Sequence, residues 1–201
     1  MNYSRQNPSD RYKYLIEQYQ AMHDGPPTLT KGGKIKYVFD GVSLSPHVQA
    51  ISGIIAKTKS KTILDYGSGK GMQYADGKVR KAWNVDSITC YDPAYKPLNI
   101  LPTGKFDGVV STDVLEHCPI EDVDWILEEI IRYAAKFVFM NVSCKEAKKL
   151  LPDGTNAHCT VQSPEWWAKR IKVANTKNVD LILYATTDKG DELIIGKPYH
   201  K

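Results

Sequence analysis

Between Lys61 and Gly71 the chain reads Lys-Thr-Ile-Leu-Asp-Tyr-Gly-Ser-Gly-Lys-Gly, a short apolar run that passes through an acidic residue into three alternating glycines. Branched aliphatic residues suit a buried strand, and the glycines beyond them accept positive φ and carry no side chain, so backbone can approach a ligand closely. Two later runs repeat the plan. Ser87-Ile88-Thr89-Cys90-Tyr91 ends in Asp92, and Phe106-Asp107-Gly108-Val109-Val110-Ser111 ends beside Thr112-Asp113-Val114-Leu115-Glu116-His117. Three strand ends in chain order therefore carry a glycine loop and two sets of ionisable groups to one edge of an open sheet, where α/β proteins bind ligands.

These segments resemble the class I S-adenosylmethionine-dependent methyltransferases, and Val114-Leu115-Glu116-His117 after the Phe106-Asp107 run is one of that family's frequent signatures. The likeness covers roughly residues 60 to 197. It implies an α/β fold, a Rossmann-like methyltransferase three-layer sandwich whose mostly parallel sheet ends in a C-terminal antiparallel hairpin. It further implies S-adenosylmethionine as cofactor, with Asp65, Tyr66, Gly67, Ser68, Gly69 and Gly71 around its methionine and ribose portions. Asp92 and Pro93 fall at the ribose, and Ser111 to Asp113 line the cofactor or acceptor pocket. The same resemblance divides the chain into an N-terminal helical extension, residues 1–60, packed on a methyltransferase domain, residues 61–201.

The 201 residues suffice for one substantial core, and 42% hydrophobic with 25% charged residues is a globular composition. No apolar stretch of about 18 residues is present to span a bilayer, and the polar opening Met1 to Pro8 does not read as a secretory leader. A cytoplasmic or otherwise intracellular location without membrane partners is expected. The formal charge of +4 is spread over scattered lysines, which reads as solvated faces rather than a nucleic-acid track. Cys90, Cys118, Cys144 and Cys159 lack the close pairing of a zinc motif and are expected to be reduced. No metal is expected; only convergence of the pairs His117-Cys118 and His158-Cys159 in the fold would build a site.

Along the chain, residues 1–10 read as a frayed polar lead-in to a helix over Tyr12–Gln20, whose tyrosines either cover the sheet or border the substrate entrance. Gly25-Pro26-Pro27 and Thr30 to Lys34 are turn signals. Ser45-Pro46 marks a helix start, with Val48, Ile51, Ile54 and Ile55 as its apolar face. A helix is expected directly after Gly71, its free N–H groups facing the ligand, with Lys70 either on the methionine carboxylate or turned outward. Three prolines between Asp92 and Pro102 leave room only for a short strand or an irregular wall, with Asn99 and Leu101 as candidate adenine contacts. A helix from Pro119 to Tyr133, a strand over Lys136–Val142, a polar excursion from Ser143 to Cys159 and a helix opening at Ser163-Pro164 follow. Val179–Thr186 and Glu192–Gly196 read as a closing hairpin.

The reading that follows is methyl transfer to an oxygen or nitrogen of a small-molecule acceptor, an in-line displacement that depends on alignment and exclusion of water. His158 is the leading general-base candidate, because imidazole accepts protons near neutral pH and lies in the polar excursion; its alternative is a loop-bracing or substrate-orienting role. Asp113 and His117 are further catalytic candidates. Glu116, His117, His158 and Trp166 are candidate substrate contacts, with one of Trp166 and Trp167 in the core and the other toward the acceptor cleft. Nucleic-acid methylation is less favoured, because the chain lacks the Asp/Asn-Pro-Pro-Tyr/Phe cluster, carries Cys118-Pro119 in the reverse of the Pro-Cys order, and shows no added recognition domain; RNA or protein methylation, whose families need not carry either cluster, is the alternative. Two other classes are a noncatalytic nucleoside-binding or assembly protein and a nicotinamide-dependent oxidoreductase, the latter disfavoured by the expected hairpin. Oligomeric state is left open.

Overall fold

The computed structural model describes residues 3–25, 28–29, 35–36 and 41–197. Six strands form one sheet: β1 (Thr62–Tyr66), β2 (Ser87–Tyr91), β3 (Phe106–Thr112), β4 (Ala134–Ser143), β5 (Asp180–Thr187) and β6 (Gly190–Ile195). Their spatial order is β2-β1-β3-β4-β5-β6. The first five are parallel, with Leu64 opposite Val109, Val110 opposite Phe139 and Phe139 opposite Ile182. β6 returns antiparallel to β5 and closes the edge as a hairpin. The turn signals at Pro26-Pro27 and Thr30–Lys34 lie outside the described residues, which contain there only a two-residue ladder pairing Thr28–Leu29 with Ile35–Lys36.

Alternation along the strands sorts the core into two layers. Ile63, Val110, Phe137, Phe139 and Ile182 face α2 (Val48–Thr58) and α3 (Lys78–Trp83), meeting Ile51, Ile54, Ile55 and Trp83. Leu64, Val109, Val138, Met140 and Leu183 face α4 (Val123–Tyr133) and α5 (Pro164–Ala174), meeting Ile126, Ile130, Trp167 and Ile171. Period-2 strands buried on both sides are what a parallel sheet between helical layers requires. Each fully buried aliphatic or aromatic side chain contributes roughly 1.5–3 kcal/mol. The result is a three-layer, Rossmann-like α/β sandwich whose mostly parallel sheet closes in a C-terminal antiparallel hairpin. Gly108 in β3 makes room for Phe137: a Cβ there would stand 2.2 Å from its ring.

Three local expectations are corrected. Residues 3–9 are pinned rather than frayed. Ser4 and Asn7 exchange backbone bonds of 3.1 Å, the Arg5 guanidinium donates to the buried Glu129 carboxylate and to Tyr66 Oη (2.8 Å), and Ser9 N–H donates to Asp122 Oδ1 (3.0 Å). Ser9 then caps α1 (Asp10–Asp24), its hydroxyl accepting from Tyr12 N–H at 2.9 Å. No helix follows Gly71 directly. Gly71 and Gly77 have φ of 67° and 71°, so Met72–Tyr74 make a single 3-10 turn and α3 waits until Lys78. Ser45-Pro46 lies within a 3-10 segment, Val42–His47, and α2 starts at Val48.

The segment between β2 and β3 is the irregular wall anticipated from its prolines, holding only a 3-10 turn at Lys96–Leu98, so β2 is an edge strand. All four cysteines are free thiols. Among the described residues no helix is long and apolar enough to cross a membrane.

Candidate functional site

A cavity of about 650 Å³ opens at the carboxyl edge of the sheet, within the usual range for small-molecule sites. Its floor is the β1 glycine loop with Asp92 and Pro93 after β2; one wall carries Asp113, His117 and His158. α1 roofs it with Tyr12, Leu15, Tyr19 and His23. These positions recur on one helical face, which is the sequence signal for the roof.

The glycine loop is stitched to the end of β2. Gly67 and Ser68 N–H both donate to Tyr91 O (2.8 and 3.1 Å), and Gly69 N–H donates to Asp92 Oδ2 (2.8 Å). Asp92 Oδ1 accepts from Ala94 N–H at 2.9 Å, and His23 Nε2 stands 3.8 Å from it. Burial pushes the Asp92 carboxyl upward while the backbone donors pull it back. Tyr66, Gly67, Ser68, Gly69, Asp92 and Pro93 thus all border the cavity, whereas Gly71 and Lys70 do not.

Asp65 is placed differently from the expectation that it meets the cofactor. It is 2% exposed and lies behind Gln73 and Tyr74, which donate to its Oδ2 at 2.7 and 2.8 Å. Burial raises its carboxyl to about 6. Gln73 takes the place on the cavity wall, a residue that sequence reasoning assigned only to the expected helix. Asn99 and Leu101, the candidate adenine contacts, border a separate shallow groove with Arg5 and Tyr12.

On the opposite wall Asp113 adopts φ 61°, uncommon for a residue other than glycine, while its N–H donates to Asn141 O at 3.1 Å. His117 and His158 meet edge to face with ring centroids 4.8 Å apart. His117 Nδ1 lies 2.9 Å from Ala157 O, and His158 Nδ1 lies 2.6 Å from Lys145 O. Because a carbonyl oxygen only accepts, each Nδ1 carries a hydrogen, and a ring with one hydrogen then has its lone pair on Nε2. Those Nε2 atoms stand 4.0 Å (His117) and 3.8 Å (His158) from Asp113 Oδ1. Burial holds His117 below the ordinary histidine range, opposed by the Asp113 charge. Tyr19 Oη, 3.0 Å from His117 Nδ1, also donates to Ala157 O at 2.6 Å and joins the roof to this wall.

Glu116 is wholly buried and does not reach the cavity. Its Oε1 accepts from Ser143 N–H, its backbone carbonyl accepts from Thr160 N–H at 3.0 Å, and Oε2 has no hydrogen-bond partner among the described residues. Burial, then the Asp113 charge, pushes its carboxyl well above the usual range. Trp166 is also away from the cavity: it packs edge to face on the fully buried Trp167, and the Arg170 guanidinium covers it 4.3 Å from the ring. Of the two His-Cys pairs, the histidines join Asp113 in a three-residue cluster.

No family model matches this chain, and no curated protein matches it. The sandwich resembles that of the methyltransferases in its architecture, and a fold of this kind carries its chemistry in the residues of its cavity.

Proposed function

We propose that the cavity binds S-adenosylmethionine and that the protein transfers its methyl group to an oxygen or nitrogen of a small-molecule acceptor. The observation that carries this reading is the joining of a glycine loop to a strand-end carboxylate, Gly69 N–H on Asp92 Oδ2, on the same cavity as an imidazole-lined wall. Ser68 Oγ and Gln73 Oε1 support it, since both belong to cavity-lining residues and are buried without a hydrogen-bond partner among the described residues. A polar ligand supplies what such atoms lack.

Gly67, Ser68, Gly69, Gln73, Asp92 and Pro93 would hold the cofactor, which supplies a sulfonium methyl as electrophile. The acceptor then lies toward Asp113, His117 and His158. His158 Nε2, with its lone pair fixed by the Nδ1 bond to Lys145 O, is placed to take the acceptor's proton. Tyr12, Leu15 and Tyr19 would shield the bound donor on the α1 side, and a site shielded from water favours charge transfer from nucleophile to sulfonium.

Asp92→Asn tests the donor side. A lost charge-assisted hydrogen bond costs about 1.5–3 kcal/mol, so calorimetric affinity for S-adenosylmethionine should fall roughly 10- to 100-fold in a variant that keeps its circular dichroism. Unchanged affinity in the folded variant removes Asp92 from the donor site.

A further inference from the structure

We infer that Asp113, His117 and His158 form a binding site for a divalent transition-metal ion. One coordinating atom from each residue falls within 4.8 Å of the other two. The geometry is that of an acceptor-only corner. Both Nδ1–H groups are committed to backbone carbonyls, Ala157 O and Lys145 O, which leaves two bare Nε2 lone pairs facing one carboxylate oxygen at 4.0 and 3.8 Å. Three acceptors turned toward a common point repel one another unless something positive lies between them. A proton on one ring satisfies a single pair; a divalent ion satisfies all three.

Carbonyl bonds that fix the tautomer and aim Nε2 are the usual outer support of histidine ligands. Here that support is built from distant parts of the chain: Ala157 O also accepts from Tyr19 on α1, and Lys145 O accepts from Ser143 Oγ at 3.2 Å. The two imidazoles are therefore held from behind, whereas Asp113 is exposed and adjustable. Ligands about 2.1 Å from one ion stand roughly 3.0–3.4 Å apart, whereas these atoms stand up to 4.8 Å apart, so closing the site takes shifts on the order of 1–1.5 Å, shared between the Asp113 side chain and an imidazole. Two imidazoles and one carboxylate leave further positions open toward the cavity, a donor set suited to Zn²⁺, Fe²⁺, Mn²⁺ or Co²⁺ rather than to Ca²⁺.

The site is independent of the identity of the methyl donor. Where methyl transfer holds, ligation occupies the His158 lone pair, and the ion in place of the imidazole then lowers the pKa of a bound acceptor hydroxyl. That makes an oxygen nucleophile the matching acceptor.

The test is a titration of the protein, freed of metal by dialysis against EDTA, with Co²⁺ while visible absorption is recorded, and with Zn²⁺ in competition. One equivalent should bind, giving weak ligand-field bands without an intense thiolate charge-transfer band, and Zn²⁺ should displace it. Asp113→Asn, which suits positive φ, and His158→Gln should each weaken binding about 10- to 100-fold with circular dichroism unchanged. If one variant fails to fold, the other and the wild-type spectrum decide. Absence of saturable binding to the folded wild type, a strong thiolate band, or unaltered affinity in the folded variants overturns the inference.

Discussion

Gly67 is a glycine for a reason internal to the protein: at φ 83° a Cβ there would stand 2.3 Å from a Val114 methyl. The Val114-Leu115-Glu116-His117 run and the glycine loop thus lock together before any ligand arrives, which gives both motifs a shared packing origin. Asp65 is the residue where sequence and structure part most clearly. Its place at the end of a strand was legible, but the donors Gln73 and Tyr74 that wall it off come from a broken helix whose path the local pattern did not reveal. The consequence is measurable. An acid raised from 3.8 to about 6 in the fold binds more protons there than in the unfolded chain between those values, so its contribution to stability is greatest in acid and falls as pH rises from about 4 to 6. A difference of that size between the folded and unfolded chain corresponds to about 3 kcal/mol. Asp65→Asn should therefore gain stability relative to wild type across that window, read from urea unfolding at pH 4 and pH 7. An identical difference at both pH values contradicts the assignment. His117, held neutral by burial, acts with the opposite sign, losing stability as pH falls, so the variant difference and not the wild-type profile isolates Asp65.

At the scale of elements, strands and the α4 and α5 helices were readable because alternation and helical spacing are local. The N-terminal strap was not, since nothing in a polar decapeptide announces that Arg5 pairs with a glutamate 124 positions later. Glu129 is 3% exposed and is satisfied by Arg5 and by Tyr66 Oη at 2.7 Å, while the Arg5 guanidinium also stacks 4.8 Å from the Trp125 ring. Removing one partner of a buried pair strands the other. Arg5→Met should lower unfolding free energy by about 2–4 kcal/mol, and Glu129→Gln on that background should restore part of it. A loss under about 0.5 kcal/mol in chemical denaturation would show the strap to be a surface contact. Because the same strap leads into the cap of α1, weakening it should also loosen the roof over the cavity.

The mostly parallel sheet, its closing hairpin and the irregular segment between β2 and β3 were legible in the whole chain, because strand ends, helix lengths and proline density set them together. What the chain did not disclose is which of the strand-end residues share the cavity. Asp92, Asp113, His117 and His158 do; Asp65, Glu116 and Trp166 do not. That sorting depends on side-chain direction and on the α1 roof, which are properties of the assembled molecule. The cavity's occupant is identified by isothermal calorimetry of S-adenosylmethionine and S-adenosylhomocysteine against the purified protein, with NADH as competitor. Saturable 1:1 binding of the first two, mutually competitive and indifferent to NADH, is the predicted result. Binding of NADH instead, or of neither adenosyl compound by protein shown to be folded, contradicts the account.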